Sequence, residues 1–323
     1  MAGVLITGIT GQDGGYLAEL LLAEGREVHG LVHDGDLDVA DLLRRCPDVV
    51  LHPGDLTNNA SLATVVAAAE PEEVYNLAGI SSVAFSWECP VLTADVTALG
   101  AARLLELVWK LQERTGKAVR FVQASSAEMF GDADVAPQDE RTPLRPTSPY
   151  GASKAFAHQL VGVYRARGLH AGSVILYNHE SPRRPSTFVT RKITQAAARI
   201  AKGLEHELVL GNLEVRRDWG WAPDYVDAMV RAARHSPASD YVVATGKAHS
   251  VRDFVAASFA RASVPDWERR VRVHEGLVRP LDAALQVGCA ARARAELGWE
   301  PTVDFEELVA RMVDSDLQAI AAQ

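Results

Sequence analysis

Cysteine is scarce in this chain. The only three cysteines among 323 residues are Cys46, Cys89 and Cys289, which lie far apart and in no spacing typical of metal ligands. An odd number of isolated thiols is typical of a reducing compartment, in which structural disulfides do not form. We therefore expect neither a disulfide framework nor a bound metal.

Long apolar runs are also missing. No stretch approaches the roughly 20 consecutive apolar residues that a membrane-spanning helix requires. The first residues, Met1-Ala2-Gly3-Val4, lead into an apolar strand pattern without a basic and apolar leader. We expect a cytoplasmic protein that does not bind membranes.

An excess of positive charge is the third absence. Lysine and arginine number 33 against 42 acidic residues, which gives a formal net charge of -9. Nucleic acid would be repelled by such a chain, so any anionic ligand needs a local basic site. The length and the 48% apolar content suit one large domain, or two smaller domains that share a cleft.

Apolar β-branched runs alternate with helical segments in the first half of the chain. Good helix formers fill segments 15–24 and 98–113, and Gly25 and Gly116 follow where helices should end. This alternation predicts an α/β fold with a Rossmann-type, doubly wound parallel sheet. The predicted strands are 4–6, 28–32, 49–51, 74–77, 119–122 and 173–176.

The pattern changes after about residue 178, where prolines and arginines interrupt it, and segment 241–244 then predicts a strand that returns to the main sheet. We therefore predict two domains that are interleaved in sequence. Residues 1–178 and about 220–247 form a dinucleotide-binding domain, and about 179–219 with 248–323 form a smaller, mixed α/β substrate-binding domain.

A glycine-rich turn separates the first strand from the first helix. Its spacing is G-x-x-G-x-x-G, and missing side chains there let backbone N–H groups approach a pyrophosphate. Residues at the ends of the third and fourth strands extend the predicted cofactor site. The predicted contacts are Gly8, Thr10, Gly11, Gln12, Asp13, Gly14, Asp55, Leu56, Leu77 and Ala78.

The choice between NAD and NADP rests on the end of the second strand. Asp34 lies 20 positions after Gly14, and an acid there accepts from a ribose 2′-hydroxyl and repels a 2′-phosphate. Arg44 and Arg45 follow nearby, although a solvated helix face is their more common role. The residues alone favour NAD and leave NADP open.

The predicted catalytic group joins two segments. Tyr150 and Lys154 fall on one helical face behind a Ser148-Pro149 helix start, so the ammonium can help the phenol act as a base. Ser126 ends a predicted strand, where a parallel sheet presents ligand groups. Glu128 adds a carboxylate that can remove a proton from carbon and protonate a leaving hydroxyl, which is elimination chemistry.

A basic segment between residues 183 and 217 runs against the overall charge. Arg191, Lys192 and Arg217 suit a nucleotide diphosphate, because cationic side chains bind phosphate oxygens. Arg199 and Lys202 suit a solvated helix face equally well. The partner predicted from these residues is a nucleotide diphosphate, and the resemblance described next implies that it carries a sugar.

Five strings identify a family: ITGITGQDG (6–14), QASSAE (123–128), NHESPRR (178–184), TFVTRKIT (187–194) and RDWG (217–220). From residue 3 to about 255 the chain resembles the GDP-mannose 4,6-dehydratases of the extended short-chain dehydrogenase/reductase family. The resemblance implies C4 oxidation of a hexose, loss of the C5 proton and C6 hydroxyl, and hydride return to C6. It assigns this chemistry to Ser126, Glu128, Tyr150 and Lys154.

The same resemblance implies further contacts and an assembly. His179, Arg184 and Lys154 would face an NADP cofactor, and the chain would form a homodimer through helices 91–113 and 149–167, with a tetramer left open. The residues implied to face the nucleotide sugar are Ser81, Asn178, Val189, Lys192, Arg217, Arg279 and Asp282.

Several positions depart from the family pattern. Segment 32–36 is short where relatives carry an arginine-bearing loop, which leaves both the NADP preference and the tetramer open. Leu92 replaces a cofactor-contacting tyrosine, Ile80-Ser81-Ser82 replaces a Gln-Ser-His string, and Asp282 replaces a glutamate. The exact nucleotide and hexose therefore stay open.

Two other functions remain as alternatives. A nucleotide-sugar epimerase or 4-keto reductase uses the same Tyr150 and Lys154 pair without needing Glu128. A non-catalytic dinucleotide-binding sensor would keep the fold and lose the chemistry, as happens where the tyrosine or lysine is absent.

Overall fold

The computed structural model describes residues 3–36, 38–277, 281 and 283–322. Its strands are β1 (Gly3–Thr7), β2 (Glu27–Val32), β3 (Val50–Pro53), β4 (Glu73–Asn76), β5 (Arg120–Ser126), β6 (His170–Leu176), β7 (Asn178–Glu180), β8 (Leu208–Leu210), β9 (Arg216–Trp221), β10 (Asp240–Val243), β11 (Ala248–Ser250), β12 (Val271–Val273) and β13 (Leu285–Gln286). Its α-helices are α1 (Gln12–Ala23), α2 (Val39–Arg45), α3 (Asn59–Ala69), α4 (Val83–Glu88), α5 (Pro90–Thr93), α6 (Gly100–Thr115), α7 (Pro149–Ala166), α8 (Val189–Ala201), α9 (Ala222–Arg234), α10 (Val251–Arg261) and α11 (Phe305–Ala321).

Within the described residues, seven strands form the main sheet in the order β10-β6-β5-β4-β1-β2-β3. All neighbouring pairs are parallel, and β1 pairs with both β2 and β4. The chain order reverses between β1 and β4, and an open parallel sheet binds ligands beside the carboxyl ends of strands at such a point. The predicted doubly wound Rossmann-type fold, including the returning strand at 240–243, is confirmed.

Local sequence explains where the functional helices begin and end. The Ser148 hydroxyl accepts a hydrogen bond of 3.0 Å from the Gly151 N–H, and Pro149 occupies the first helical position, so α7 starts where the sequence predicts. Helix α6 ends at Gly116, whose φ of 66° is a left-handed conformation that favours glycine.

A smaller lobe follows β6. Strand β9 is paired with β7 and β13 in parallel and with β11 in antiparallel fashion, and β8 pairs with β12. Helices α8, α10 and α11 cover these strands around an apolar core that includes Ile193, Phe254 and Met312. Because β7 follows β6 after a single residue, the smaller lobe begins directly at the carboxyl edge of the main sheet.

Residues 290–299 lie in a different place from the one expected. The sequence assigned them to the smaller domain, but Leu297 and Trp299 pack in the core of the main sheet. The Trp299 indole donates a 2.7 Å hydrogen bond to the Asp224 carbonyl and meets the Tyr225 ring edge-on. This packing against α9 explains the placement, because α9 itself covers the main sheet.

In the part of the chain that the structure describes, no helix is both long and apolar enough to cross a membrane.

Candidate active site

The glycine-rich turn between β1 and α1 packs tightly against β4. Gly8 has a φ of 71°, and a Cβ on it would lie 2.8 Å from the Ala78 nitrogen. A Cβ on Gly14 would lie 2.2 Å from the Gly8 carbonyl oxygen. Larger residues are therefore excluded at both positions.

The start of α1 has the properties of an anion site. Gly11 precedes the first helical residue and supplies no side-chain cap. The N–H groups of the first turn can therefore donate hydrogen bonds to a ligand. Together with the glycine cradle, these donors fit the diphosphate of a dinucleotide. Gly8, Gly11 and Gly14 lie in this turn and at the start of α1, and their contacts with a cofactor stay a prediction.

Two side chains of this first turn contact strand β7 and the residue after it. The Gln12 amide donates to the His179 carbonyl at 3.1 Å and accepts from the Ser181 hydroxyl at 2.8 Å. The Asp13 carboxylate lies 2.8 Å from His179 Nε2. The cofactor end of the main sheet is therefore joined to the first strand of the smaller lobe.

The loop after β2 also contacts the turn, through a residue that the sequence did not single out. The Asp36 carboxylate accepts from the Thr10 hydroxyl at 3.3 Å and from the His33 N–H at 3.0 Å. Asp34 lies exposed in the same loop, and Asp55 lies 3.8 Å from the His33 ring. The number of residues after Gly14 could not show which of Asp34 and Asp36 contacts the turn, because sequence spacing does not determine the path of a loop.

Arg44 and Arg45 are engaged elsewhere. Arg44 pairs with Asp41 one turn earlier on α2. Arg45 pairs with the same carboxylate at 2.8 Å and with Glu19 at 2.6 Å. Arg44 thus has a carboxylate partner on α2, and Arg45 has partners on both α1 and α2.

The remaining predicted cofactor residues follow the carboxyl ends of β3 and β4. Leu56 is buried against Gly100, where an added Cβ would lie 2.9 Å from the leucine side chain. Leu77 and Ala78 are half-buried after β4, and the Ala78 N–H donates to the Thr7 hydroxyl at 3.2 Å.

Three predicted catalytic groups meet at the end of β5. The Ser126 hydroxyl accepts from the Glu128 N–H at 3.2 Å, and both Ser126 and Glu128 act on the pKa of the Tyr150 phenol. A Cβ on Gly151 would lie 2.5 Å from the Glu128 carbonyl oxygen, so α7 lies directly against this segment. The residues that bear a hydroxyl, a carboxylate and a phenol therefore lie close together at the end of β5.

Burial controls the acidity of the phenol. It raises the pKa of Tyr150 to about 12, with the Glu128 charge acting in the same direction. The hydrogen bond from Ser126 and the charge of Arg184 lower the pKa but do not outweigh burial. In this state the phenol keeps its proton at neutral pH.

Lys154 lies near the Tyr150 ring, and its own hydrogen bond goes to a backbone carbonyl. Its ammonium donates to the Ala124 carbonyl at 2.7 Å and lies 5.9 Å from the centre of the Tyr150 ring. Burial lowers the pKa of Lys154 to about 8, partly opposed by the Asp13 charge. A buried ammonium needs a strong hydrogen-bond acceptor, and the Ala124 carbonyl of β5 provides one for Lys154.

A chain of buried polar groups, not predicted as a unit, leads to the same carbonyl. The Thr7 hydroxyl donates to Asn76, and the Asn76 amide donates to Gln123, at 2.7 Å and 2.8 Å. The Gln123 amide then donates to the Ala124 carbonyl at 3.0 Å. Polar residues inside the apolar runs 74–76 and 121–124 were the available sequence signal, because buried polar groups require partners.

Arg184 reaches the site from the turn after β7. Its guanidinium stacks 3.7 Å above the Phe188 ring, and its Nε lies 3.3 Å from the buried Glu180 carboxylate. The Thr190 hydroxyl donates to that carboxylate at 2.7 Å. Arg184 also acts electrostatically on Asp13 and Tyr150, so it lies close to both.

The residues predicted to face the sugar nucleotide lie on several elements. Asn178 begins β7, and Lys192 on α8 is exposed and donates to the Val209 carbonyl at 2.7 Å. Arg217 on β9 is buried and donates to the Ala283 carbonyl at 2.7 Å. Val189 begins α8 and Ser81 is exposed after β4, while Arg279 and Asp282 lie outside the described residues.

Arg191 does not belong to this group. The sequence suggested a diphosphate contact, but its guanidinium pairs with Asp316 of α11 between two helices of the smaller lobe. Both side chains are largely buried there. The periodicity of α8 explains the difference, because Arg191 lies on the helix face that packs against α11.

Sequence comparison identifies close relatives along nearly the whole chain. A family profile described as GDP-mannose 4,6 dehydratase matches residues 5–312. GDP-mannose 4,6 dehydratase 1 of Arabidopsis thaliana is 46% identical, over 97% of this chain and 89% of its own length. GDP-mannose 4,6-dehydratase of Vibrio cholerae is 40% identical, over 97% of this chain and 93% of its own.

Solved structures share the fold. UDP-glucose 4-epimerase of Thermus thermophilus, in complex with NAD, is 29% identical with a TM-score of 0.85 and covers 97% of this chain and 98% of its own. dTDP-glucose 4,6-dehydratase of Bacillus anthracis, also with NAD, is 20% identical with a TM-score of 0.83 and covers 98% and 96%. Since the family profile spans nearly the entire sequence and relatives of similar length share 40% and 46% of its residues, the chain belongs to the GDP-mannose 4,6-dehydratase family.

Proposed function

We propose that this chain is a nucleotide-sugar 4,6-dehydratase that converts GDP-mannose, or a close GDP-hexose, to the 4-keto-6-deoxy sugar. The observation that carries the proposal is the meeting of Ser126, Glu128 and Tyr150 at the end of β5. Family membership supports the same activity. A dehydrogenase alone would not need a carboxylate at this point of the site.

The reaction loses only water. Tyr150 and Ser126 act at the C4 oxygen, which gives up its proton as C4 is oxidised to a ketone. Glu128 takes the acidified C5 proton and protonates the departing C6 hydroxyl. A bound nicotinamide dinucleotide would supply hydride transfer from C4 and back to C6, and the proton taken from the C4 oxygen would be returned to C5, so that water alone is lost.

The electrostatics of this chain set conditions on Tyr150. Burial and the Glu128 charge keep its phenol protonated, while the Ser126 hydrogen bond and the Arg184 charge oppose them. Ser126 and Arg184 are therefore the groups of this chain that favour the phenolate during C4 oxidation. Lys154, which is hydrogen-bonded to the Ala124 carbonyl, supplies a second positive charge 5.9 Å from the centre of the Tyr150 ring.

For the cofactor we propose a preference for NAD over NADP. Asp34 and Asp36 lie in the loop after β2, and Asp55 lies 3.8 Å from His33 of the same loop. The Asp36 carboxylate hydrogen-bonds Thr10 of the glycine-rich turn. Such carboxylates accept from a ribose 2′-hydroxyl and repel a 2′-phosphate. The cations near this loop, Arg44 and Arg45, are paired with the Asp41 carboxylate, which offsets the positive charge that a 2′-phosphate would need.

The sugar nucleotide would bind on the smaller lobe. Lys192 and Arg217 supply positive charge for the diphosphate in a chain of net charge -9, and Asn178 lies at the junction of the two lobes. The Ile80-Ser81-Ser82 segment after β4 has no imidazole, so sugar recognition there relies on hydroxyls. GDP-mannose is the first substrate to test, and neighbouring GDP-hexoses follow.

The activity is tested by incubating purified protein with GDP-mannose and either dinucleotide, followed by mass spectrometry of the sugar nucleotide. We expect a mass loss of one water. Unchanged mass across a panel of GDP- and UDP-hexoses would refute dehydration. Tyr150→Phe, which keeps the ring and removes the hydroxyl, serves as the inactive control.

A second candidate is epimerisation or 4-keto reduction, because UDP-glucose 4-epimerase of Thermus thermophilus shares the fold at 29% identity. Glu128→Gln separates the two. A dehydratase should lose about 10²- to 10⁴-fold in the rate of water loss, since its acid and base are removed. An epimerase or reductase should keep its rate.

We also propose a homodimer formed by α5 to α7, with a tetramer as the larger alternative. Exposed apolar side chains on these elements support it: Val91 is 82% exposed, Val163 55% and Phe156 44%. Patches of this kind usually contact another protein surface. Sedimentation equilibrium of wild type and Val163→Asp tests the proposal, and an unchanged monomer mass for the wild type would contradict it.

A further inference from the structure

A carboxylate lies where a dinucleotide diphosphate is proposed to bind. Asp13 is the second residue of α1 and belongs to its first turn, two positions after the N-cap Gly11. An anion at this place is attracted by the positive end of the helix, so it competes with phosphate for the same charge and repels it. Asp13 needs a counter-charge if the turn is to bind a dianionic diphosphate.

His179 provides that charge, as its hydrogen bonds show. Its Nδ1 lies 2.7 Å from the Tyr177 carbonyl oxygen, and its Nε2 lies 2.8 Å from the Asp13 carboxylate. Both partners are acceptors, whereas a neutral imidazole has only one N–H. An imidazolium satisfies both contacts, and a neutral ring beside a carboxylate leaves one without a proton.

The electrostatics of the pair agree with this protonation state. Burial by itself lowers the pKa of His179, but the charge and hydrogen bond of Asp13 outweigh it and the pKa is raised. Burial by itself raises the pKa of Asp13, but His179 outweighs it and the pKa is lowered. Arg184, another cation nearby, lowers the pKa of both Asp13 and His179. The Asp13 charge also acts on Tyr150 and Lys154.

An aromatic ring covers the face of the imidazole. Tyr225 of α9 stacks on His179 with ring centres 4.6 Å apart and planes inclined by 23°. The Tyr225 ring is itself fixed against Gly220, where a Cβ would lie 2.4 Å from it. A cation over an aromatic face is stabilised by the negative charge of that face. Tyr225 is thus placed to favour the imidazolium.

We propose that His179 is a permanently protonated counter-charge for Asp13, held by Tyr177 and Tyr225, that makes the start of α1 acceptable to the diphosphate of a dinucleotide. This inference rests on the proposed dinucleotide binding. It makes His179 and Tyr225 positioning residues that act through Asp13. It also explains why a turn that binds phosphate tolerates an acid.

Charge-deletion rescue tests the proposal. Binding of NAD to the purified full-length chain is measured by calorimetry for His179→Gln, Asp13→Asn and the double variant. His179→Gln should weaken binding tenfold or more, because Asp13 then repels the diphosphate. Asp13→Asn should bind as well as wild type or better, and the double variant should bind within threefold of Asp13→Asn. A double variant as weak as His179→Gln would overturn the proposal.

A second measurement needs no ligand. Nuclear magnetic resonance of the imidazole nitrogens should show a doubly protonated His179 at pH 7 in the wild type. The titration should move to lower pH in Asp13→Asn and in Tyr225→Leu, and stay close to wild type in Tyr225→Phe, which keeps the ring. A neutral His179 ring in the wild type at pH 7 would refute the counter-charge even if NAD binds.

Controls separate this proposal from general damage. The His235–Glu296 pair, at 3.9 Å on the far end of α9, offers matched substitutions in His235→Gln and Glu296→Gln, which should leave NAD affinity within twofold. Thermal unfolding identifies variants that fail to fold. If the His179 variants fail, the NAD affinity of Asp13→Asn remains as the binding test. If the wild type binds neither NAD nor NADP, the proposed function fails, and with it the role of the pair, whatever the charge on His179.

Discussion

The ammonium nitrogen of Lys154 lies 2.7 Å from the carbonyl oxygen of Ala124, and both groups are buried at the end of β5. The ammonium is stabilised by this one carbonyl but has lost its hydration by water. The result is the lowered pKa of Lys154, at about 8. The same burial that prepares this residue for a role beside a cofactor therefore lowers the stability of the fold.

The first prediction concerns this cost. Below pH 8 the native and unfolded chains both carry the Lys154 proton, so the native state bears the full penalty of burial. Between pH 8 and about 10.5 the native chain loses the proton first, and the unfolded chain binds more protons, so native stability rises with pH. Above that range the penalty is gone.

Lys154→Met removes the charge and keeps the volume. We expect the unfolding free energy of wild type relative to the variant to improve by about 3 kcal/mol between pH 7 and pH 11, at about 1.4 kcal/mol for each pKa unit. Urea unfolding of both proteins across this range measures it. A pH-independent difference would show that the Lys154 pKa is close to that of a solvated lysine.

The sequence predicted much of the fold because its signals are local. β-Branched runs such as Val4-Leu5-Ile6 alternate with helix formers, and parallel strands buried on both faces need such runs. Caps and stops such as Ser148 and Gly116 act within one turn. These features do not depend on the path of the rest of the chain.

The site could be predicted only in part, for the opposite reason. Tyr150, Ser126 and Glu128 are readable because they are close in sequence to a helix start and a strand end. The pairing of Asp13 with His179 joins positions 166 residues apart, and the contact of Asp36 with Thr10 depends on a loop path. Neither contact can be predicted from residue spacing or periodicity, and both became visible only in the tertiary structure.

The second prediction uses two glycines of α7. Gly151→Ala places a Cβ 2.5 Å from the Glu128 carbonyl oxygen, so the segment that bears Glu128 must move away from Tyr150. We expect a loss of about 1–3 kcal/mol in unfolding free energy. We also expect kcat to fall by about 10²-fold, because misplaced catalytic groups lose that much.

Gly162→Ala in the same helix is the matched control. No atom lies within 4 Å of its added Cβ, so the change should stabilise the helix by about 0.5–1 kcal/mol and leave kcat unchanged. Denaturant unfolding and steady-state kinetics are measured for both at equal protein concentration. Equal kcat for Gly151→Ala and wild type would contradict the close packing of α7 against Glu128.

The third prediction concerns Gln123, whose amide links Asn76 to the Ala124 carbonyl. Gln123→Met keeps the volume but leaves the Asn76 amide without its acceptor and the carbonyl with one donor fewer. We expect a loss of about 1–3 kcal/mol in unfolding free energy. Because the carbonyl that holds Lys154 is then less well fixed, kcat should fall at least tenfold with little change in KM.

Gln318→Met on α11 controls for the substitution itself. Gln318 is exposed, so its replacement should change the unfolding free energy by less than about 0.5 kcal/mol and leave kcat unaffected. Urea unfolding and steady-state kinetics compare the two variants. If Gln123→Met loses stability but keeps kcat, the polar chain supports the sheet and does not position Lys154.

The last prediction separates two acids in the loop after β2. Asp36→Asn removes the carboxylate that hydrogen-bonds Thr10, whereas Asp34→Asn changes an exposed residue of the same loop. We expect wild type to bind NAD at least tenfold more tightly than NADP, and Asp36→Asn to reduce that ratio about tenfold, because repulsion of the 2′-phosphate is removed. Calorimetric Kd values for both dinucleotides measure the ratio. A larger change from Asp34→Asn than from Asp36→Asn would assign discrimination to Asp34, and an NADP preference in the wild type would refute the carboxylate argument altogether.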